Sequence, residues 1–264
     1  MLVKYGLLSA LKTATWLQLI GSYSSDSDED EKIIINKPKS QILPLPKDIA
    51  NWKGVQYVEE NIDVPDNHDG RIRSFQHERG NWATLVYINY EPGEALSSWM
   101  TSINKILPNA NLIINQCHIS LSRTLVLKYH WIDSFVNSLK KLCQSTDKFS
   151  LDIGNLKIYT NEEKTRTFLG IQCHNYDNKL KGFMDSFSKI LDDYKLPQFY
   201  QEASYHISFL WQLGNEVDNI EKYLPSLNDS LHDVLTKTID QNHIDVDEIQ
   251  CKIGNKLYKF PLRR

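Results

Sequence analysis

Cysteine is scarce in this chain, and its cysteines are not arranged in pairs. Four of the 264 residues are cysteine, no two of them have a CxxC spacing, and three of the four lie in apolar, strand-like runs. Disulfide frameworks use more cysteines at closer spacings, so none is expected here. We predict reduced, buried cysteines and a protein of the nucleus or the cytosol.

A long uninterrupted apolar run is also missing. Residues 1–20, MLVKYGLLSALKTATWLQLI, contain two lysines and no acidic residue, but Lys12 and two threonines interrupt the apolar positions. A membrane-spanning helix needs about 20 consecutive apolar residues, so we expect no membrane contact. The same composition is typical of a weak presequence, and it leaves open a minor mitochondrial pool.

Net charge is small as well. The formal charge is −3 at pH 7, which at first argues against a nucleic-acid partner. Five acidic residues, however, fall in one serine-rich run, SYSSDSDEDE at 22–31, and without them the rest of the chain would carry +2. The overall charge therefore does not exclude RNA.

The chain divides into an extension and one domain. Residues from about 22 to 46 are acidic, serine-rich and then punctuated by prolines, so they bury too little apolar surface to order themselves. We predict a mostly disordered extension at 1–48 and a folded domain at 49–264, which is long enough to fold unaided.

Within the domain, strands and helices recur in a similar order around two short motifs. Apolar periodicity and β-branched content predict each element, and a Gly-Asn pair is a hairpin signal. Together they indicate a duplicated α+β architecture with two facing lobes. The predicted elements are strands at 80–90, 149–161 and 165–174, helices near 93–106, 130–143, 177–194 and 220–235, and turns at Gly154-Asn155 and Gly254-Asn255.

The two motifs share the letters HIS. One stands in CHISLSRT, residues 117–124, and the other in SYHISFLW, residues 204–211. Successive side chains of a strand point to opposite faces, so each motif presents an imidazole and at least one hydroxyl on one face. If the lobes face each other, these groups line one cleft. The first strand contributes His118, Ser120 and Ser122, and the second His206 and Ser208.

This set of side chains suits cleavage of RNA at a phosphodiester. Imidazole titrates near pH ~6.5, so one histidine can take a proton while the other gives one up. Attack by a 2′-hydroxyl needs that base on one side of the phosphorus and that acid at the leaving oxygen. Hydroxyls of Ser120, Ser122 and Ser208 would donate to the non-bridging oxygens, a role worth about 3 kcal/mol per donor. We expect no metal ion and no cofactor.

Other interpretations fit the two motifs less well than this one. A single HxS on a strand is common by chance and favours a packed or surface histidine, but two copies favour a shared site. A zinc site lacks further ligands at usable spacing, and a serine nucleophile lacks its sharp turn. Three alternatives stay open: a cyclic-phosphate hydrolase, a 2′-5′ ligase-like enzyme, and a non-catalytic RNA-binding splicing factor.

Several long stretches resemble the U6 snRNA phosphodiesterase family of the 2H phosphoesterase superfamily. The resemblance covers about 21–264, and it implies a pseudo-symmetric fold with antiparallel sheets facing across a central cleft and helices on the outside. It also implies a monomeric, nuclear 3′-5′ exoribonuclease that trims the uridine-rich 3′ end of U6 snRNA, leaving a 2′,3′-cyclic phosphate or a 3′-phosphate. The stretches are GRIRSFQHERGNWATLVYINYE (70–91), CHISLSRT (117–124), KIYTNEEKTRTFLG (157–170), FYQEASYHISFLW (199–211) and CKIGNKLYKFPL (251–262).

Carried over position by position, the resemblance assigns roles to the motif residues. His118 and His206 become the acid and base of the reaction, and Ser120 and Ser208 become phosphate clamps. For the first cut we assign His206 as the base and His118 as the acid.

The resemblance also implies contacts to the terminal nucleotide. Tyr200 falls where the family stacks the terminal base, and Ser204 is placed to touch the ribose or phosphate. Glu162 stands where the family commonly has glutamine, and a carboxylate accepts from uracil N3–H but cannot donate to O4. Arg123 faces away from His118 by strand alternation, so we expect it on the surface.

Overall fold

The computed structural model describes Pro46 and residues 78–200, 203–238 and 242–264. From Glu78 onward these residues belong to one compact unit, Glu59–Arg264. The predicted extension at 1–48 and its boundary with the domain lie, apart from Pro46, outside the described residues.

Strands of the described chain form one sheet of ten, with antiparallel pairing throughout. The order across it is β10-β9-β1-β3-β7-β6-β5-β8, while β4 adds to β1 and β2 adds to β7. The strands are β1 (Asn81–Asn89), β2 (Asn111–Leu112), β3 (His118–Ser120), β4 (Leu125–Lys128), β5 (Phe149–Thr160), β6 (Arg166–His174), β7 (His206–Leu213), β8 (His243–Val246), β9 (Glu248–Ile253) and β10 (Lys256–Pro261).

The sheet repeats itself about the junction between β3 and β7. On one side the HIS strand β3 pairs with β1, and β1 pairs with β9; on the other side β7 pairs with β6, and β6 pairs with β5. In the chain β5 comes after the first HIS motif, yet it lies in the half of the sheet that contains the second motif. β9 comes after the second motif, yet it lies in the half that contains the first. The predicted two-lobed α+β fold is confirmed, and its lobes are halves of one continuous sheet.

Helices of the described chain follow the apolar spacing of the sequence. The first of them buries Leu96, Trp99, Met100 and Ile103, which lie on one face of a helix. None of these helices is long and apolar enough to cross a membrane. They are α1 (Glu94–Ile106), α2 (Ile132–Ser145), α3 (Lys179–Asp193), α4 (Val217–Glu221) and α5 (Leu224–Lys237), with short 3-10 turns at Ile114–Gln116 and Tyr129–Trp131.

The hydrophobic core lies between the helices and one face of the sheet. Ile119 of β3 and Ile207 of β7 are fully buried in it, and Trp99 of α1 packs against Phe209 of β7 with ring centroids 5.6 Å apart. Burying each such side chain contributes about 1.5–3 kcal/mol. Because side chains alternate along a strand, the residues on either side of each isoleucine point away from this core.

The turn predicted at Gly154-Asn155 is wrong. β5 continues through both residues, and its pairing with β6 shifts register between Ile153 and Leu156. A β-bulge absorbs the pair, because the α5 side chain of Asn228 accepts the unpaired Leu156 N–H at 2.7 Å.

The turn between β5 and β6 lies instead at 161–165, where the Asn161 side chain accepts the Arg166 N–H at 2.8 Å. The helix predicted near 220–235 is two helices, because Pro225 starts a new one at the beginning of α5. The terminal hairpin is confirmed, with Gly254 at φ +54° in its turn.

Candidate active site

The two HIS motifs lie side by side on adjacent antiparallel strands, and their central isoleucines are paired. In an antiparallel ladder the neighbours of a paired residue pair in opposite directions along the two strands. The two-residue spacing within each motif therefore sets each imidazole beside the hydroxyl of the other motif. Ile119 pairs with Ile207, and this register sets His118 opposite Ser208 and Ser120 opposite His206.

The imidazoles are diagonal neighbours across this junction. Diagonal positions of an antiparallel pair lie about 7–8 Å apart, and His118 and His206 leave the same face of the sheet, opposite the core. Residues at that separation can hold one phosphodiester between their side chains.

Each ring is held by a carbonyl two residues before it. His118 Nδ1 lies 2.9 Å from the Gln116 carbonyl oxygen, and His206 Nδ1 lies 2.7 Å from that of Ser204. A carbonyl only accepts, so Nδ1 carries the hydrogen in both rings and Nε2 is the atom left for proton transfer. The same local contact therefore orients both histidines.

Their surroundings differ. The ring of Tyr159 stacks on His206 with centroids 3.7 Å apart and planes 15° apart, whereas Tyr87 meets His118 edge-on at 5.3 Å. Burial lowers the pKa of His206 below the ordinary 6.5, and charge on His118 and Lys157 acts in the same direction, while the bond to the Ser204 carbonyl opposes it. His206 is therefore neutral at pH 7, as a general base has to be.

Gly170 of β6 makes room for the stacked rings. A Cβ at this position would lie 3.1 Å from the His206 ring, 3.2 Å from the Tyr159 ring and 3.2 Å from the Ile207 carbonyl. Most side-chain atoms do not approach that closely, and the carbonyl cannot move without disturbing β7. A side chain at 170 would thus press on the base itself.

Ser120 and Ser208 lie where the motifs predicted, on the face that carries the histidines. Within the described residues neither hydroxyl makes a hydrogen bond to another side chain or to the backbone. Each is therefore available to donate to an oxygen of a phosphate placed between the rings.

Ser122 is not brought to that face. Leu121 N and Ser122 N both donate to the Val86 carbonyl, so strand alternation ends at Ser120. Ser122 is 2% exposed, and its Oγ accepts the Val86 N–H at 3.0 Å. This hydroxyl supports the backbone where β1 and β3 diverge.

Side chains of the β5–β6 hairpin reach the histidine face and form one wall of the site. Besides stacking on His206, Tyr159 makes a hydrogen bond of 2.9 Å between its hydroxyl and Ser204 Oγ. Ser204 thus holds His206 through its carbonyl and Tyr159 through its side chain. Farther along the hairpin, Glu162 makes an ion pair with Arg123.

Tyr200 completes this wall. Tyr200 is 52% exposed, and the Arg123 guanidinium carbon lies 4.5 Å from the centroid of its ring. Arg123 therefore lies inside the site, because the strand whose alternation would have turned it away ends three residues earlier.

Some residues of this site were not found from the sequence. Asn89 of β1 pairs with His118, and Gln172 of β6 pairs with His206. Tyr159 and Gly170 shape the pocket around His206. Strand register brings all four together, and no local pattern in the sequence gives the register of strands so far apart in the chain.

A hollow of about 720 Å³ lies between α1 and the segment before β3. None of its lining residues is titratable, so proton transfer is assigned to the histidine face. No group of three or more His, Cys, Asp or Glu side chains in the described part of the chain is placed to hold a metal ion. The hollow is lined by Ser97, Ser98, Thr101, Asn111, Leu112, Ile113, Ile114, Asn115, Gln116 and Trp211.

Known proteins include relatives of nearly the full length of this chain. The model of the HVSL family, described as an uncharacterised conserved protein, matches residues 43–261. U6 snRNA phosphodiesterase 1 of Xenopus laevis is 37% identical over 249 residues, covering 91% of this chain and 98% of the relative. U6 snRNA phosphodiesterase 1 of Homo sapiens is 32% identical over 271 residues, covering 93% and 98%.

The solved structure of Kluyveromyces marxianus Usb1 is also similar, with 14% identity, a TM-score of 0.48, and coverage of 68% of this chain and 98% of that one. The family is shown by the sequence relatives, whose match spans both HIS motifs and the hairpin between them. The chain belongs to the U6 snRNA phosphodiesterase family.

Proposed function

We propose that the protein is a metal-independent 3′-5′ RNA exonuclease that shortens the uridine-rich 3′ end of U6 snRNA. The observation that carries this proposal is the pairing of the two HIS strands. Their register sets His118 and His206 diagonally on one face, each with a serine of the other motif opposite it. Two relatives are named for the same RNA, and their match to this chain covers 98% of the length of each.

The first step is an internal attack by the RNA. Neutral His206 takes the proton of the 2′-hydroxyl on the penultimate nucleotide, and that oxygen forms a bond to the neighbouring phosphorus. The bond from phosphorus to the 5′-oxygen of the terminal nucleoside breaks, and His118 gives its proton to that oxygen. One nucleoside leaves, and the shortened RNA ends in a 2′,3′-cyclic phosphate.

Negative charge builds on the two non-bridging oxygens during this step. Ser120 and Ser208 flank the imidazoles and donate hydrogen bonds to those oxygens. A second step follows from the same geometry when water replaces the nucleoside. His118 then takes a proton from water and His206 returns one to the 2′-oxygen, which opens the ring to a 3′-phosphate.

An assay in EDTA tests this function. The substrates are two oligouridines of equal length, one with a free 3′ diol and one with a 3′-phosphate. We expect shortening of the free-diol substrate only; it continues from each new cyclic-phosphate end until the ring opens to a 3′-phosphate, which is the end that blocks cleavage. Shortening that requires an added divalent metal, or that proceeds equally on the two substrates, would contradict the proposal.

The same assay distinguishes the alternatives. Ring opening of a cyclic phosphate without shortening, or joining of two RNA ends, would assign the histidines to a cyclic phosphodiesterase or a ligase-like enzyme. RNA binding without any turnover would assign the chain to a non-catalytic splicing factor.

We also propose that the enzyme acts as a monomer in the nucleus. One chain supplies both histidines and both serines of the site, so no second copy is needed to complete it. Light scattering of the full chain tests the monomer. Imaging of the tagged full chain beside a version without residues 1–20 tests whether a minor mitochondrial pool depends on that segment.

A further inference from the structure

Three loops meet in one cluster beside the histidines. Arg123 follows β3, Glu162 lies in the turn between β5 and β6, and Tyr200 precedes β7. Arg123 makes an ion pair with Glu162, and its guanidinium carbon lies 4.5 Å from the centroid of the Tyr200 ring. We call these three residues the base clamp.

The clamp lies next to the reacting groups. Arg123 is three positions beyond Ser120, and Glu162 is three positions beyond Tyr159, whose ring stacks on the base His206. A nucleotide whose phosphate lies between the imidazoles therefore brings its sugar and base within reach of the clamp.

Stability alone does not account for this arrangement. The side chains of Arg123 and Glu162 are 32% and 60% exposed, and exposed ion pairs contribute little to the free energy of unfolding. Tyr200 is a large aromatic side chain that is half exposed. An exposed aromatic ring beside paired charges is the arrangement on which a nucleic-acid base stacks and is read.

The ion pair has complementary hydrogen-bonding groups. A carboxylate only accepts, and a guanidinium only donates. The Watson–Crick edge of uracil offers one donor, N3–H, beside one acceptor, O4. Glu162 alone satisfies the first group and leaves the second unmet, whereas Glu162 with Arg123 satisfies both.

We infer that Arg123 and Glu162 together read the edge of the 3′-terminal base and select uracil. This inference rests on the proposed function of the site. The base takes the place of the guanidinium on the Tyr200 ring, and Arg123 moves to the edge of the base beside Glu162. Glu162 accepts from N3–H, and Arg123 donates to O4.

Four matched RNAs with identical bodies test the inference. They end in uridine, 3-methyluridine, cytidine or an abasic ribose. The wild-type enzyme is expected to have a kcat/KM on the uridine end about tenfold or more above the values on 3-methyluridine and cytidine. Methylation removes the N3–H donor, and cytosine exchanges the donor and the acceptor.

Variants that remove the donor or the acceptor of the clamp should lose this selectivity. R123M, R123K and E162L are each expected to lower the ratio of kcat/KM on the uridine end to kcat/KM on the abasic end about tenfold. R123K keeps the charge but loses the planar fork that faces the base edge. E163Q, which removes a charge at the neighbouring position, is the matched control and should keep full selectivity.

The outcomes separate this inference from the function beneath it. If no RNA end is shortened, including the abasic one, the proposed function fails. If all ends are shortened and R123M or E162L leaves the ratio of uridine to cytidine unchanged, the base clamp is overturned while the exonuclease stands. An equal loss on all four ends after R123M would also overturn it, because Arg123 would then contact the RNA backbone.

Discussion

At the scale of single residues, the two histidines share a motif and a backbone contact but not an environment. Both rings hold Nδ1 against a carbonyl two residues earlier. Only His206 lies under a stacked ring, and burial lowers its pKa. Neighbouring side chains on other strands therefore determine which histidine acts as the base and which as the acid.

Removing the Tyr159 ring should move the acid side of the pH profile. His206 acts as a base only when neutral, so kcat/KM falls as pH drops through its pKa, and the lowered pKa puts that fall below pH 6.5. In Y159L the imidazole becomes more exposed to water, its pKa rises, and the fall moves to higher pH. Y159F keeps the ring and should keep the wild-type profile. A shift to lower pH in Y159L would mean that the ring stabilises the imidazolium.

Replacing each motif serine with alanine should distinguish the hydroxyls that donate to the phosphate from the hydroxyl that supports the backbone. S120A and S208A are each expected to lower kcat about 10²–10³-fold with little change in melting temperature. S122A leaves the buried Val86 N–H without a partner, so it should cost about 1–3 kcal/mol of unfolding free energy and leave kcat close to wild type. Loss of kcat in S122A as large as in S120A would instead place Ser122 on the phosphate. Urea unfolding and single-turnover cleavage measure the two effects.

At the scale of elements, three of the four predicted helices agree with the structure to within two residues, the fourth is two helices, and strand pairing was not predicted. The apolar spacing of α1, α2 and α3 gives their extent, because one buried stripe is a local property of the sequence. The bulge in β5 depends on an acceptor from α5, more than 70 positions away. A Gly-Asn pair is compatible with a turn or a bulge, and a distant side chain decides between them.

The same reason limits prediction of the site. Both histidines and the two facing serines follow from the repeated motif and strand alternation. Tyr159, Gly170 and Arg123 do not, because their positions depend on the curl of the β5–β6 hairpin and on where β3 ends. The register of strands that are far apart in the chain determines these contacts, and no single segment of the sequence specifies that register.

Asn228 should support the bulge that the sequence did not predict. Its Oδ1 accepts the Leu156 N–H at 2.7 Å, so N228A leaves a half-buried donor unmet and should lower the free energy of unfolding by about 1–3 kcal/mol. N228D keeps an acceptor oxygen and should lose less. Equal urea midpoints for N228A and wild type would show that water replaces the side chain.

At the scale of the whole molecule, the chain exchanges strands between its halves. β5 and β9 each follow one HIS motif and complete the half that holds the other. Each half of the sheet therefore needs a strand from the other half of the chain. Strands on both sides hold the junction between β3 and β7 in place. The catalytic face lies on this junction, so its geometry depends on the whole sheet.

The central claim is that His118 and His206 act on one phosphate in one step, and a double-mutant cycle tests it directly. Single-turnover cleavage of oligouridine in EDTA is measured for wild type, H118A, H206A and the double variant, with H232A, an exposed histidine of α5, as control. We expect a loss of about 10²–10⁴-fold in each single variant, no change in H232A, and a double variant no slower than the slower single one. A double variant whose loss equals the product of the single losses, or a single variant within tenfold of wild type, would contradict the claim.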